Sequence, residues 1–141
     1  MITPLDIKKA ANTLLKSKFH PVPIKAQDVS KGFARPSITV EIDDVKIATL
    51  DTQVETSLTV RTYYFPDFKN TDESLDMLNM QFAVAMAYGN KLNVDDRSLD
   101  VNEPEGNIVD GILVHEFDML FYQAVEEAST AIMDTIIYNG K

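Results

Sequence analysis

The sequence predicts an α+β domain: a largely antiparallel or mixed sheet of about four to six strands, with two helices packed mainly on one face. Three observations predict it. Two segments carry apolar residues at helical spacing behind good cap residues. Several other segments alternate apolar and polar residues and are separated by turn-forming residues. An Asp-Gly pair sits between two alternating runs in "NIVDGILV", a strong short-range hairpin signal.

Residues 3–18 read as the first helix. Thr3 is a good N-cap, Pro4 suits the first helical position, and Asp6 stands where a capping-box acid would. Ile7, Ala11, Leu14 and Leu15 form an apolar stripe, and Lys8, Lys9, Asn12 and Lys16 lie mostly away from it. Those lysines read as a solvated face rather than a basic contact patch. Pro21 and Pro23 end the helix and force extension through "VPIKAQDV". "KGFARP" is a turn. "PSITVEI" is a half-buried strand with Ile38, Val40 and Ile42 on one face.

Asp43 to Glu55 has no clear face and reads as a hairpin or long loop. A strand follows from about Thr56 to Phe65, with Leu58, Val60 and Tyr64 on one side. Pro66 stops it, since proline has no N–H to donate. Tyr63 and Phe65 face away from Tyr64, because a strand alternates. Their cover is either a second layer of the same domain or a neighbouring subunit.

"KNTDESLDMLNMQFAVAMAYG" is the clearest helix, capped by Asn70 or Thr71 and stopped by Gly89. Leu75, Leu78, Phe82 and Met86 make one stripe, and Met77, Met80, Val84 and Tyr88 make a second. Two stripes predict cover on more than one side. "KLNV" and "RSLDV" flank an Asp95–Asp96 turn, and "NEPEG" is a turn or bulge. In the long strand that follows, Leu113, His115, Phe117, Met119 and Phe121 share one face. Ile112, Val114 and Leu120 share the other with Glu116 and Asp118, which again predicts cover on two sides. Residues 1–122 thus form one domain. Residues 123–141 form an extended or partly helical arm.

Composition narrows the chemistry. The 141 residues suit one domain, and 45% hydrophobic content can build a core. No cysteine is present, which excludes disulfides, thiol catalysis and Cys-ligated zinc. No apolar run approaches the roughly 20 residues of a membrane helix. The start reads as a helix rather than a signal peptide, so the expected setting is a cytoplasm or a particle assembled there. Lys plus Arg is 13 against 22 Asp plus Glu, a net charge of −9. Such a chain is poorly suited to gripping phosphates.

Catalytic patterns are missing. No HExxH, calcium loop, P-loop, GxGxxG or GxSxG occurs. His115 reads as a packed structural histidine, and Asp43–Asp44 and Asp95–Asp96 read as turn residues rather than cation ligands. Among the clustered aromatics of "TVRTYYFPDF" only Arg61 is basic, which argues against nucleic-acid stacking. No enzyme activity, cofactor, metal or small-molecule substrate is expected.

The order of signals resembles the tail terminator, or tail-completion, proteins of tailed phages and prophages of Gram-positive bacteria. The resemblance rests on the N-terminal helix followed by "HPVPI", on "QDVSKGFARPSITVEI" and "YYFP", on the acid-capped helix from Asp72, and on "NIVDGILVHEFDMLFY". It covers most of residues 1–122 and is weak over Asp43–Gln53 and after Tyr122. It implies a structural virion protein that forms a ring, typically a hexamer, on the tail tube. The implied partners are other copies of itself, the tail tube protein and the head connector protein, with genome DNA only as passing cargo and no membrane. The implied place is the head-proximal end of the virion tail, after assembly in the bacterial cytoplasm. An acidic lumen would let DNA pass without sticking. Tyr63, Phe65, Met77, Met80, Val84 and Tyr88 are the expected interface residues, with the Asp43–Gln53 loop and the C-terminal arm beside them. A head–tail joining or neck protein at another station, and a non-viral cytoplasmic interaction module, are the alternatives.

Overall fold

The computed structural model describes residues 1–19, 24–25, 36–66 and 73–125. The expected turn at "KGFARP", the caps Asn70 and Thr71, His20 and the arm beyond residue 125 lie outside the described residues.

The first helix, α1, spans Pro4–Lys18. Its capping box is reciprocal: Thr3 Oγ1 accepts the Asp6 N–H at 3.2 Å, and Asp6 Oδ2 accepts the Thr3 N–H at 2.9 Å. Two donors that a helix start leaves free are satisfied in this way. Ile7, Ala11 and Leu15 are fully buried, with Leu14 packed at the margin.

The main sheet has the order β1-β2-β3-β7-β6. Its strands are β1 (Ile24–Lys25), β2 (Ser37–Thr49), β3 (Gln53–Phe65), β6 (Asn102–Val109) and β7 (Ile112–Ala124). Only β1 is parallel to its neighbour. A second, two-stranded sheet joins β4 (Lys91–Val94) to β5 (Arg97–Asp100) through the expected Asp95–Asp96 turn. The fold is therefore α+β with a mostly antiparallel sheet, as the sequence predicts.

The undecided stretch at residues 43–55 is a hairpin. Leu50 donates its N–H to the Gln53 carbonyl at 2.7 Å and leaves a two-residue turn. β2 runs through to Thr49 with a bulge between Asp43 and Lys46, where Asp44 adopts a φ of 55°. β3 starts at Gln53 rather than about Thr56. The polar wording of "DTQVET" hides its alternation, because Thr56 takes an inward position that an apolar residue would mark. "NEPEG" holds a second bulge, between Asn102 and Glu105, with Glu103 at a φ of 50°. Asp110 and Gly111 both have positive φ, 53° and 74°, as a two-residue primed hairpin turn requires.

The core lies on one face of this sheet. Ile38 and Val40 of β2, Leu58, Val60 and Tyr64 of β3, and Leu113, Phe117, Met119 and Phe121 of β7 are all buried there. Both helices and the β4–β5 hairpin join the same cluster. Ser37 and Thr39, on the opposite face of β2, are also buried, so the start of β2 is covered on both sides rather than half-buried.

Candidate functional site

The helix α2 spans Glu73–Tyr88 and ends on Gly89, whose φ is 61°. At about 100° per residue, its two apolar stripes lie on nearly opposite sides. Three hydrogen bonds decide which side meets the sheet. Tyr64 of β3 donates its hydroxyl to Asp76 Oδ2 at 2.9 Å. Gln81 Nε2 donates to the Gly106 carbonyl of β6 at 2.9 Å. The Tyr88 hydroxyl and Thr62 Oγ1 share a hydrogen bond at 2.7 Å inside the core. Burial pushes the Tyr88 phenol up to about 12, so it stays neutral.

With α2 held in that rotation, Met77, Val84 and Tyr88 are at most 2% exposed and Met80 is half-buried against the core. Leu75, Leu78, Phe82 and Met86 are 58–69% exposed. Of the residues expected at an interface, Met77, Val84 and Tyr88 are therefore inside the subunit's own core and closed to a neighbour. Among the described residues the helix is covered on one side only, and the open stripe is the other one. Phe65 is also buried, at 4% exposure, and Tyr63 is half-buried beside it, with ring centroids 6.5 Å apart. Neither ring stands free. The signal that could have identified the open stripe is the polar reach of Asp76, Gln81 and Tyr88, which all fall on the other side.

His115 is 2% exposed, and neither ring nitrogen has a hydrogen-bond partner among the described residues. Its ring stacks on Tyr88 at 5.6 Å and meets Phe117 edge-on. Burial lowers its pKa, so the ring is neutral. It packs as an aromatic plate under the end of α2.

The opposite sheet face carries the charge. Arg61 of β3 donates to Glu116 Oε2 at 2.8 Å, Asp43 Oδ2 at 2.7 Å and Asp44 Oδ2 at 3.4 Å. Its bonds to Glu116 and then Asp43 push the guanidinium further into its charged form. Glu103, Glu105 and Asp118 border the same open depression, so one cation stands among six carboxylates. Thr59 donates to Asp118 at 2.8 Å. The expected cover on this side of β7 does not extend along it: Leu120 is 50% and Tyr122 41% exposed.

Among the described residues no cluster of His, Asp and Glu is arranged to hold a metal ion, and no helix is long and apolar enough to cross a membrane. What the molecule offers is surface: an apolar helix stripe on one side and an acidic sheet face on the other.

No curated protein matches the chain. The family model described as phage tail terminator protein matches residues 6–131, the greater part of the length, and on that match the chain belongs to the phage tail terminator family.

Proposed function

We propose that this chain closes the head-proximal end of a phage tail tube. Copies assemble head to tail into a ring, one rim of which stops tube growth while the other receives the head connector. Membership of the family makes the chain a structural component of the virion tail. The ring, its hexameric number and its two axial partners are our reading of how that role is carried out.

The observation that carries it is the open stripe of α2. Leu75, Leu78, Phe82 and Met86 span about three turns, each more than half exposed. Contiguous apolar patches on soluble domains mark interaction surfaces. We assign this one to a neighbouring copy. A ring needs two unlike patches per subunit, because a self-complementary patch would stop at a dimer. The sheet face that carries no helix among the described residues is a separate surface, and its carboxylates suit it to face a passing duplex, which they would repel rather than hold.

The test is electron microscopy of the purified chain with tail tubes. Rings at one tube end, lost in Phe82→Asp while that variant stays folded, are the expected result. A chain that ignores tubes and binds only head connectors would overturn the assignment.

A further inference from the structure

β2, β3 and β7 continue together beyond the strands that flank them. β1 pairs only with Ile38 and Thr39, and β6 pairs with β7 only as far as Asp118. The remainder is a three-stranded ribbon whose two outer strands have no strand partner on their outer sides among the described residues. The open stretches are level with each other: Ile47, Thr56 and Phe121 share one rung, and Thr49, Val54 and Gln123 another.

The direction of the free backbone groups follows from the pairings. In an antiparallel ladder a residue's N–H and C=O point to the same side, and successive residues alternate. Ile112 and Val109 close the β6–β7 hairpin, so the even-numbered residues of β7 face β6. Beyond Asp118 the same parity sends the groups of Leu120, Tyr122 and Ala124 to the open side. Arg97 confirms it, since its Nη1 donates to the Tyr122 carbonyl at 3.1 Å from that side. The odd-numbered residues of β7 face β3, so β3 turns its even residues to β7 and its odd ones to β2. After the bulge, Lys46 and Ala48 face β3, and Ile47 and Thr49 face outward.

Exposed edges invite another strand, and soluble proteins blunt them with charge, proline or cover. Among the described residues Lys46 and the bulge are the only such devices on β2, and Val45, Ile47 and Leu50 remain 43–59% exposed. On β7 the β5 strand lies near without pairing to it, and its Arg97 touches one carbonyl. The two edges are unlike and lie on opposite sides of one ribbon, so each fits the other on a second copy and neither fits itself. That is the geometry of a head-to-tail contact.

We infer that the ring closes by strand addition: the free edge of β7 at Leu120–Ala124 in one copy pairs with the free edge of β2 at Ile47–Thr49 in the next. Within a copy β2 and β7 run in the same direction, both being antiparallel to β3. The junction between copies is therefore parallel. Six copies would supply about 18 strands, the size at which closed barrels leave an aqueous channel. This inference rests on the ring reading, and Arg97 leaves the Tyr122 carbonyl, with β5 shifting aside, when the strand arrives.

The test is amide hydrogen exchange on the full chain, free and assembled on tail tubes, together with two edge variants. Leu120→Pro and Ile47→Pro each remove an outward N–H without touching a bond inside the ribbon, at side chains that are half-exposed or more. Expected are at least tenfold slower exchange at Ile47, Thr49, Leu120 and Tyr122 on assembly, no rings from either variant, and dimers when the two are mixed, because each keeps the edge the other lacks. Should either variant fail to fold, the wild-type exchange result stands alone. Rings whose edge amides exchange as fast as in the free chain overturn the inference and leave the ring reading intact. Absence of wild-type rings on tubes overturns both.

Discussion

Truncating the two stripes of α2 separates stability from assembly. Met77 is 2% exposed in the core, so Met77→Ala removes buried apolar volume and is expected to cost about 2–5 kcal/mol. With about 2.1 cal/mol/K of unfolding entropy per residue, the 141-residue chain loses about 3.4 °C of Tm per kcal/mol. The expected fall is then about 7–17 °C. Phe82 is 69% exposed, and Phe82→Ala removes little that folding buries. Its expected effect stays within about 0.5 kcal/mol, or about 2 °C. Scanning calorimetry on the free chain reads both, and counting capped tubes in micrographs reads assembly. The expected pattern is a destabilised Met77→Ala, and a stable Phe82→Ala that caps poorly. Equal losses of Tm in the two variants would refute the rotation assigned to α2. Full capping by Phe82→Ala would refute the role of the open stripe.

Two further outcomes follow from the buried contacts under α2. Tyr88→Phe leaves the Thr62 hydroxyl buried without its partner and is expected to cost about 1–3 kcal/mol in urea melts; adding Thr62→Val is expected to recover much of that loss. His115 keeps a folded pKa below its unfolded value of about 6.5. The unfolded chain therefore binds the extra proton first, and stability is lost as pH falls below about 6.5, by up to about 1.4 kcal/mol per pH unit. Urea melts of wild type and His115→Leu between pH 7.5 and 5 check this, since the variant lacks that slope; parallel profiles would exclude His115 as the group responsible.

Local signals alone set the boundaries of α1, the β6–β7 turn and the β4–β5 hairpin. The capping box of Thr3 and Asp6, the Asp110–Gly111 pair and Gly89 after Tyr88 act within a few residues, and each is in place. The same holds for the inward face of β3, where Leu58, Val60 and Tyr64 alternate and are buried. The motif order also carried the family, because it spans the chain. Alternation was obscured where a polar residue points inward, as at Thr56, which is why residues 43–55 read as either a hairpin or a long loop.

What the sequence could not decide was which apolar surfaces are shared with the chain itself. Both stripes of α2 are hydrophobic, and a helix does not know its rotation until Asp76 and Tyr88 find Tyr64 and Thr62 on β3 and Gln81 finds Gly106 on β6. The assignment of Met77, Val84 and Tyr88 to core and of Leu75, Leu78, Phe82 and Met86 to the open side is a tertiary fact. The edges without a strand partner among the described residues are another, since an unpaired strand differs from a paired one only in what lies beside it. Local propensity and spacing wrote the elements of this protein, while the surfaces left over for other molecules appeared only when distant residues closed the core.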